Sequence, residues 1–85
     1  MKAKYSIVIT NRFRKSFKNL TEDHQERIFK ALSELMENPF TGTRLTGELS
    51  GLWRIRVGDY RVIYSINEEE KHIILIDVGH RKKIY

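Results

Sequence analysis

The chain has 85 residues, of which 40% are hydrophobic and 32% charged, and it contains no cysteine. This length supports one domain, residues 1–85, with a modest core, which excludes a second domain and an interior cavity for a large cofactor. The lack of cysteine excludes disulfides and thiolate metal sites and favours a reducing compartment, the cytoplasm. Sixteen Lys and Arg against eleven Asp and Glu give a net charge of +5, so a polyanion is the first partner to consider.

The first half of the chain predicts one strand and two helices. Residues 4–10 alternate apolar and polar side chains and are rich in β-branched residues, which indicates a strand. Asn11 is expected to cap a short helix with an apolar stripe of Phe13, Phe17 and Leu20. Thr21 is expected to cap a longer helix that ends before Pro39. Helices joined by so short a connection form an antiparallel hairpin.

The second half predicts a loop over 39–50 and then strands over 52–57, 60–67 and 71–78. Gly58 and Asp59 form a two-residue hairpin turn, which places Val57 opposite Tyr60 and so fixes the register of the first two strands. The predicted fold class is therefore α+β: an N-terminal strand, an antiparallel helix hairpin and a three-stranded antiparallel meander, with the helices packed on one face of the sheet.

Strand alternation separates an apolar face from a basic one. The apolar face is expected to form the core and carries Trp53, Ile55, Val57, Tyr60, Val62, Tyr64 and Ile66. The opposite face carries Arg54, Arg56 and Arg61, with Arg56 directly across from Arg61. Like charges facing each other cost a sheet a few tenths to about 1 kcal/mol, so folding alone gives no reason for this arrangement.

The register of the last strand depends on the length of the acidic turn before it. With Glu68–Glu70 as a three-residue turn, Asp77 lies opposite Arg61 and is expected to hold it in place. In that register three apolar side chains are expected to lie exposed beside the arginines: Ile63, Ile73 and Leu75. An exposed apolar group of this kind suits a partner that docks an amphipathic or extended segment.

The basic face and the basic C-terminal segment fit phosphodiester chemistry. His24, His72 and His80 are scattered, and no glycine-rich phosphate loop or nucleophile elbow is present, so metal, phosphate-loop and serine-hydrolase chemistry have no motif here. Arginine forks match phosphate oxygens, and they stabilise the added charge of a pentacoordinate transition state. Metal-free RNA cleavage needs only such groups, because the RNA supplies its own 2′-hydroxyl as nucleophile.

Two stretches, GLWRIRVGDYRVIY at 51–64 and VGHRKKIY at 78–85, resemble the RelE branch of the RelE/ParE toxins of type II toxin–antitoxin modules. The resemblance implies a metal-independent mRNA interferase, an endoribonuclease without a cofactor. Such a toxin binds mRNA in the ribosomal A site and 16S rRNA, cleaves the codon there and inhibits translation. The resemblance also implies an antitoxin protein as partner. Such an antitoxin is expected to dock an acidic segment on the exposed apolar side chains.

The resemblance assigns roles to individual residues. Arg61 falls on the transition-state arginine, Arg81 on a second phosphate-binding arginine, and Tyr85 on a tyrosine that stacks on the base and orients or activates the 2′-hydroxyl. Arg54 falls among the basic residues that grip the RNA backbone. Lys82 and Lys83 extend that basic group along the C-terminal segment.

Arg56 departs from the family pattern, because the best-studied branch has a lysine there that can exchange a proton. An arginine stays protonated, so Arg56 can only stabilise charge. Proton transfer through a side chain then falls to His80 or Tyr85.

Two other functions remain open on the sequence alone. The first is a ParE-like, non-enzymatic inhibitor of DNA gyrase, for which the basic face is a protein interaction surface. The second is a basic RNA-binding module without catalysis, which predicts salt-dependent binding and no product.

Overall fold

The computed structural model describes residues 4–84, and two helices cover one face of a five-stranded sheet in it. The elements in chain order are β1 (Ser6–Ile9), α1 (Asn11–Lys18), α2 (Glu22–Glu37), β2 (Thr43–Arg44), β3 (Trp53–Val57), β4 (Tyr60–Asn67) and β5 (His72–His80). The strand order is β1-β5-β4-β3-β2, with β1 parallel to β5 and the other pairs antiparallel. The predicted α+β class, with a strand, a helix hairpin and a meander in that order, is confirmed.

The prediction of a plain loop over 39–50 is wrong in part. That segment contains the short strand β2 and two single 3-10 turns, Pro39–Thr41 and Gly47–Leu49. Because β2 pairs with β3 through only two residues, it adds a short edge to the meander. No periodic signal of a strand exists in two residues, which is why the sequence pattern missed it.

The helix boundaries follow from side-chain caps. Thr10, rather than Asn11, caps α1: the Phe13 N–H donates to Thr10 Oγ1 at 3.1 Å, and Asn11 is already the first helical residue. Thr21 caps α2 as predicted, through the N–H of His24. At 16 residues α2 is the longest of the described helices, and none of the helices within residues 4–84 has the length and apolarity to cross a bilayer.

The core forms between the helices and the sheet face that they cover. Its fully or nearly buried members are Tyr5, Phe13, Ile28, Leu32, Leu35, Val62, Tyr64, Ile73, Leu75 and Val78. Six of the seven residues expected on this face belong to the core: Val62 and Tyr64 lie within the buried cluster, and Trp53, Ile55, Val57 and Ile66 are partly buried and pack against it. The helices therefore occupy the apolar face, and none of the helices described within residues 4–84 covers the face with the arginines.

Tyr64 is a core residue that forms a hydrogen bond with the segment following α2. Its side chain is fully buried, and its hydroxyl donates to the Pro39 carbonyl oxygen at 2.7 Å. Burial raises the pKa of Tyr64 to about 12, against a smaller lowering by the backbone of Gly42. Gly42 lies so close that a Cβ there would stand 2.7 Å from the Arg54 carbonyl oxygen and would collide with the Tyr64 hydroxyl. Only glycine fits this position.

The β3–β4 hairpin has the predicted register. Val57 pairs with Tyr60, Arg56 with Arg61, and Arg54 with Ile63. Gly58 has a φ of +63°, and Asp59 is not among the residues with positive φ, which fits a two-residue turn with glycine at its first central position.

The predicted register of β5 is wrong, for two separate reasons. The turn has four residues, 68–71, because Asn67 pairs with His72, and Lys71 adopts a φ of 58° within it. A bulge between Ile63 and Tyr64 then shifts the pairing again. As a result Arg61 lies opposite Gly79, and Asp77 lies opposite Ile63.

The same shift overturns the expected exposed apolar group. Ile73 and Leu75 pair with Ile66 and Tyr64 and belong to the core cluster, where both are fully buried. Ile63, beside the bulge, is fully buried as well. These three side chains are therefore not available to an antitoxin, and the expectation that they form its docking surface is wrong.

Candidate functional site

Four arginines come together at the helix-free face of the sheet, and we refer to Arg54, Arg56, Arg61 and Arg81 as the arginine face. Arg54 and Arg56 alternate with core residues on β3, and Arg61 lies directly across from Arg56 on β4. Arg81 follows the last residue of β5, and its positive charge is close enough to contribute to the lowered pKa of Arg61. The arrangement that the hairpin register predicted for the first three is confirmed.

Arg61 is a half-buried member of the arginine face. Its Nε is buried and has no hydrogen-bond partner among residues 4–84. Burial, followed by the charges of Arg54, Arg56 and Arg81, lowers the pKa of the Arg61 guanidinium below its usual value. An arginine still carries its charge at neutral pH, so a buried donor and a concentrated positive charge coincide at one position.

Among the described residues, a carboxylate pairs with one member of the arginine face, Arg81, and the other three are left without one. Among residues 4–84 the ion pairs of arginine involve Arg12, Arg27 and Arg81, so Arg54, Arg56 and Arg61 have no carboxylate partner in that part of the chain. A ligand with several anionic oxygens, such as a phosphodiester, satisfies these donors with bidentate geometry. The site therefore has the donors and the charge of a phosphate-binding surface.

A cleft of about 290 Å³ borders the arginine face where β2 meets β3. It is lined by Thr41, Gly42, Thr43, Arg54, Ile55 and Arg56. Two of the four arginines thus face a concave surface beside the sheet. Concave sites with a few placed polar groups are typical of ligand binding.

The C-terminal segment is folded back by backbone hydrogen bonds. The Arg81 N–H donates to the Asp59 carbonyl oxygen at 2.8 Å, and the Lys83 N–H donates to the His80 carbonyl oxygen at 2.8 Å. Ile84 returns over Gly79, where a Cβ would stand 3.7 Å from Ile84 Cβ. Lys82 and Lys83, predicted to contact RNA, are exposed in this turn.

His80, predicted as a candidate for proton transfer, does not lie on the arginine face. It pairs with Tyr60, and the two rings lie 5.6 Å apart. On its other side Tyr60 contacts His24 of α2, at 4.4 Å between ring centroids, so this stack lies on the helix-covered face. Neighbouring residues of a strand point to opposite faces, which separates Tyr60 and His80 from Arg61.

Asp77 does not hold Arg61 either, and that prediction is also wrong. Its carboxylate accepts hydrogen bonds from Arg12 Nε at 3.0 Å, Ser16 Oγ at 2.7 Å and the Val78 N–H at 2.8 Å. Asp77 is 9% exposed, and its partners Arg12 and Ser16 belong to α1. This carboxylate therefore fastens α1 to β5.

Tyr85, predicted to contact the RNA base, lies outside the described residues, and its role stays a prediction. The sequence analysis did not single out Asp59 as a neighbour of the arginines. This residue lies in the tight turn between the two arginine-bearing strands, and its carboxylate pairs with Arg81. Within residues 4–84 no three side chains of His, Asp or Glu are grouped so that they would hold a metal ion.

Known proteins resemble this chain along most of its length. Residues 7–85 match the family described as the ParE toxin of type II toxin-antitoxin system, parDE. The toxin RelG of Mycobacterium tuberculosis is 36% identical over 56 residues, a segment that spans 65% of this chain and 64% of RelG.

Solved structures share the fold. The toxin–antitoxin complex RelBE2 of Mycobacterium tuberculosis contains a chain with a TM-score of 0.86 and 28% identity, covering 92% of this chain and 99% of that one. A chain of the RelE–RelB complex of Pyrococcus horikoshii gives a TM-score of 0.76 at 30% identity, covering 95% and 99%. With the family match over residues 7–85, these likenesses show that the chain belongs to the RelE/ParE family of toxins from type II toxin–antitoxin modules.

Proposed function

We propose that this toxin is a ribosome-dependent endoribonuclease, which cleaves mRNA in the A site by attack of the RNA's own 2′-hydroxyl. The observation that carries the proposal is the arginine face, where the buried Nε of Arg61 has no hydrogen-bond partner in the described part of the chain and three further guanidinium groups lie around it. Such a face costs folding energy through like-charge repulsion across β3 and β4, so its purpose lies in an anionic ligand.

In this proposal the scissile phosphate binds between Arg61 and Arg81. The 2′-oxygen attacks phosphorus, the bond to the 5′-oxygen breaks, and a cyclic phosphate forms on the upstream fragment. Negative charge on the nonbridging oxygens rises in the transition state, and fixed cationic donors stabilise it more than they stabilise the ground state. Arg54 and Arg56 hold the neighbouring phosphates against the cleft at β2.

Two protons move in this reaction, one from the 2′-hydroxyl and one to the leaving 5′-oxygen. The arginines cannot accept a proton at a working pH. His80 is turned to the helix-covered face, as its contact with Tyr60 shows. Of the side chains predicted for proton transfer, Tyr85 is therefore the one we retain, as the group that orients or activates the 2′-hydroxyl.

The test is primer extension on a defined mRNA in a purified translation system, with ribosome-bound RNA and free RNA compared. We expect cuts within the A-site codon that require the ribosome, and a loss of about 10²–10³-fold in cleavage rate for Arg61→Ala, the range found on removing one charge-stabilising donor. Arg14→Ala is the matched control, because Arg14 is an exposed arginine on α1 and its removal changes the net charge equally.

Tyr85→Phe is tested in the same series. It keeps the ring and removes the hydroxyl, so a loss of rate with unchanged binding would support proton transfer by the phenol. Cleavage by Arg61→Ala at the rate of Arg14→Ala would contradict the assignment of Arg61.

Inhibition of DNA gyrase is the second candidate function, and the match to the ParE toxin family favours it. In that case the arginine face contacts a protein, and mRNA stays intact in every reaction. A supercoiling assay with purified gyrase separates the two, because only the second candidate predicts loss of supercoiling. Intact RNA together with salt-dependent RNA binding and active gyrase would instead indicate a binding module.

We also propose a cognate antitoxin protein as partner. The two structural relatives described above were solved as complexes with an antitoxin. A net charge of +5 on this chain favours an acidic partner segment. Copurification of the tagged toxin with the coexpressed product of the adjacent gene, at a fixed ratio and high salt, tests this.

A further inference from the structure

Asp59 is the acidic residue that the fold brings to the arginine face. It occupies the second position of the β3–β4 turn, between the strands that carry Arg56 and Arg61. Its carbonyl oxygen accepts a hydrogen bond from the Arg81 N–H at 2.8 Å. Its carboxylate Oδ1 lies 3.8 Å from Arg81 Nε, an ion pair longer than a hydrogen bond. One residue thus contacts both the main chain and the side chain of Arg81.

Arg81 needs such contacts because it lies beyond the end of β5, where the pairing with β4 stops at His80. Its side chain is 52% exposed and has no other ion pair among the described residues. A long exposed arginine samples many rotamers, and fixing one of them costs free energy in the transition state unless the side chain is already held. The Asp59 carboxylate lies where it would reduce that freedom before a ligand arrives.

We propose that Asp59 is a positioning residue, which holds Arg81 beside Arg61 so that both guanidinium groups meet the same phosphate. This inference rests on the proposed function. The hydrogen bond to the Asp59 carbonyl oxygen fixes the main chain of Arg81 at the end of β5. The Asp59 carboxylate orients the Arg81 side chain.

A purely structural role explains the carboxylate poorly. The Asp59 side chain is 69% exposed, and Gly58, with its φ of +63°, supplies the special conformation that the turn requires. A negative charge beside a phosphate-binding face also repels RNA. Removing the carboxylate is therefore expected to lower the rate without lowering the affinity for RNA, which a loss of stability would not do.

The experiment compares Asp59→Asn with Asp23→Asn. Asp23 is the matched control, because it is equally exposed, at 68%, and pairs with Arg27 at 3.3 Å on α2. Single-turnover cleavage of ribosome-bound mRNA gives the rate, and fluorescence anisotropy with a 2′-deoxy oligonucleotide gives the affinity. NMR of the Arg81 Nε–Hε group reports its order, and thermal unfolding checks the fold.

For Asp59→Asn we expect a rate about tenfold below that of Asp23→Asn, as lost orientation of one catalytic group would give. Affinity for the oligonucleotide should be equal or higher, and the Arg81 Nε–Hε signal should show increased motion. An unchanged rate would overturn the inference, and so would rate and affinity falling together with the melting temperature.

Failure of the proposed function gives a different result. If the unmodified protein leaves mRNA intact, the nuclease proposal fails, and the NMR comparison alone decides the positioning of Arg81. An Arg81 Nε–Hε signal that is the same in Asp59→Asn and in the unmodified protein would then overturn the inference. A signal that becomes mobile only in Asp59→Asn would support it.

Discussion

Replacing Asp77 with alanine is expected to destabilise this protein more than any change on the arginine face. The Asp77 carboxylate is 9% exposed and accepts three hydrogen bonds, from Arg12, Ser16 and the Val78 N–H. Its loss leaves the Ser16 hydroxyl and the Val78 N–H without a partner in a largely buried site. Each such orphaned group costs about 1–3 kcal/mol.

Arg12 contributes less, because its side chain is 67% exposed and can be solvated when its partner is removed. We therefore expect Asp77→Ala to lower the free energy of unfolding by about 3 kcal/mol. An 85-residue domain has a total of about 4–13 kcal/mol. The expected fall in melting temperature is about 12–24 °C.

Urea unfolding at neutral pH, followed by circular dichroism, measures this change against two further variants. Asp77→Asn keeps one accepting oxygen and should cost about half as much. Arg12→Ala should cost about 1 kcal/mol or less. A cost for Arg12→Ala equal to that for Asp77→Ala would refute the reasoning, because the exposed ion pair would then outweigh the buried hydrogen bonds.

The remaining predictions concern the junction between Tyr64 and Gly42. Gly42→Ala should lower the free energy of unfolding by about 1–3 kcal/mol, because the added Cβ meets the Arg54 carbonyl oxygen and the Tyr64 hydroxyl; unfolding in urea measures it, and an unchanged midpoint would contradict the close approach. Tyr64 has a pKa raised to about 12, so its contribution to stability is complete below about pH 10 and is lost as the pH rises toward 12. Alkaline unfolding curves should show this loss in the unmodified protein and not in Tyr64→Phe, and identical curves for the two would show that the phenol does not contribute.

The elements formed by local signals were predictable from the sequence. Side-chain capping and proline set the bounds of α2, and the two-residue turn at Gly58 set the register of β3 and β4. Because that register depends on only two turn residues, the pairing of Arg56 with Arg61 followed directly. The arginines of the hairpin were therefore placed correctly.

The register of β5 was not predictable, because it depends on tertiary packing. An acidic turn can close with three or four residues at similar cost, and a bulge leaves no periodic mark in the sequence. Together the longer turn and the bulge moved Asp77 from Arg61 to α1, and placed Ile73 and Leu75 in the core. The parallel pairing of β1 with β5 was likewise invisible, since the two strands lie at opposite ends of the chain.

Placing His80 required knowing where β5 ends. The predicted strand ended at residue 78 and left His80 in the C-terminal segment, whereas β5 extends to His80. The structure pairs His80 with Tyr60 and thereby removes it from the set of groups near Arg61. The basic character of the C-terminal segment was predictable from composition, whereas the direction of each side chain was not.

The parallel pairing of β1 with β5 has a consequence for how the toxin is made. Thr10, which caps α1, also donates a hydrogen bond to the Leu75 carbonyl, 65 positions away. Folding that depends on such distant contacts is slow to nucleate, and it cannot be completed before β5 has been synthesised and has left the ribosome. The arginine face is joined by Arg81 only after β5, so a nascent chain emerges without an assembled site. The topology itself thus delays assembly of the complete arginine face until synthesis has passed the last strand.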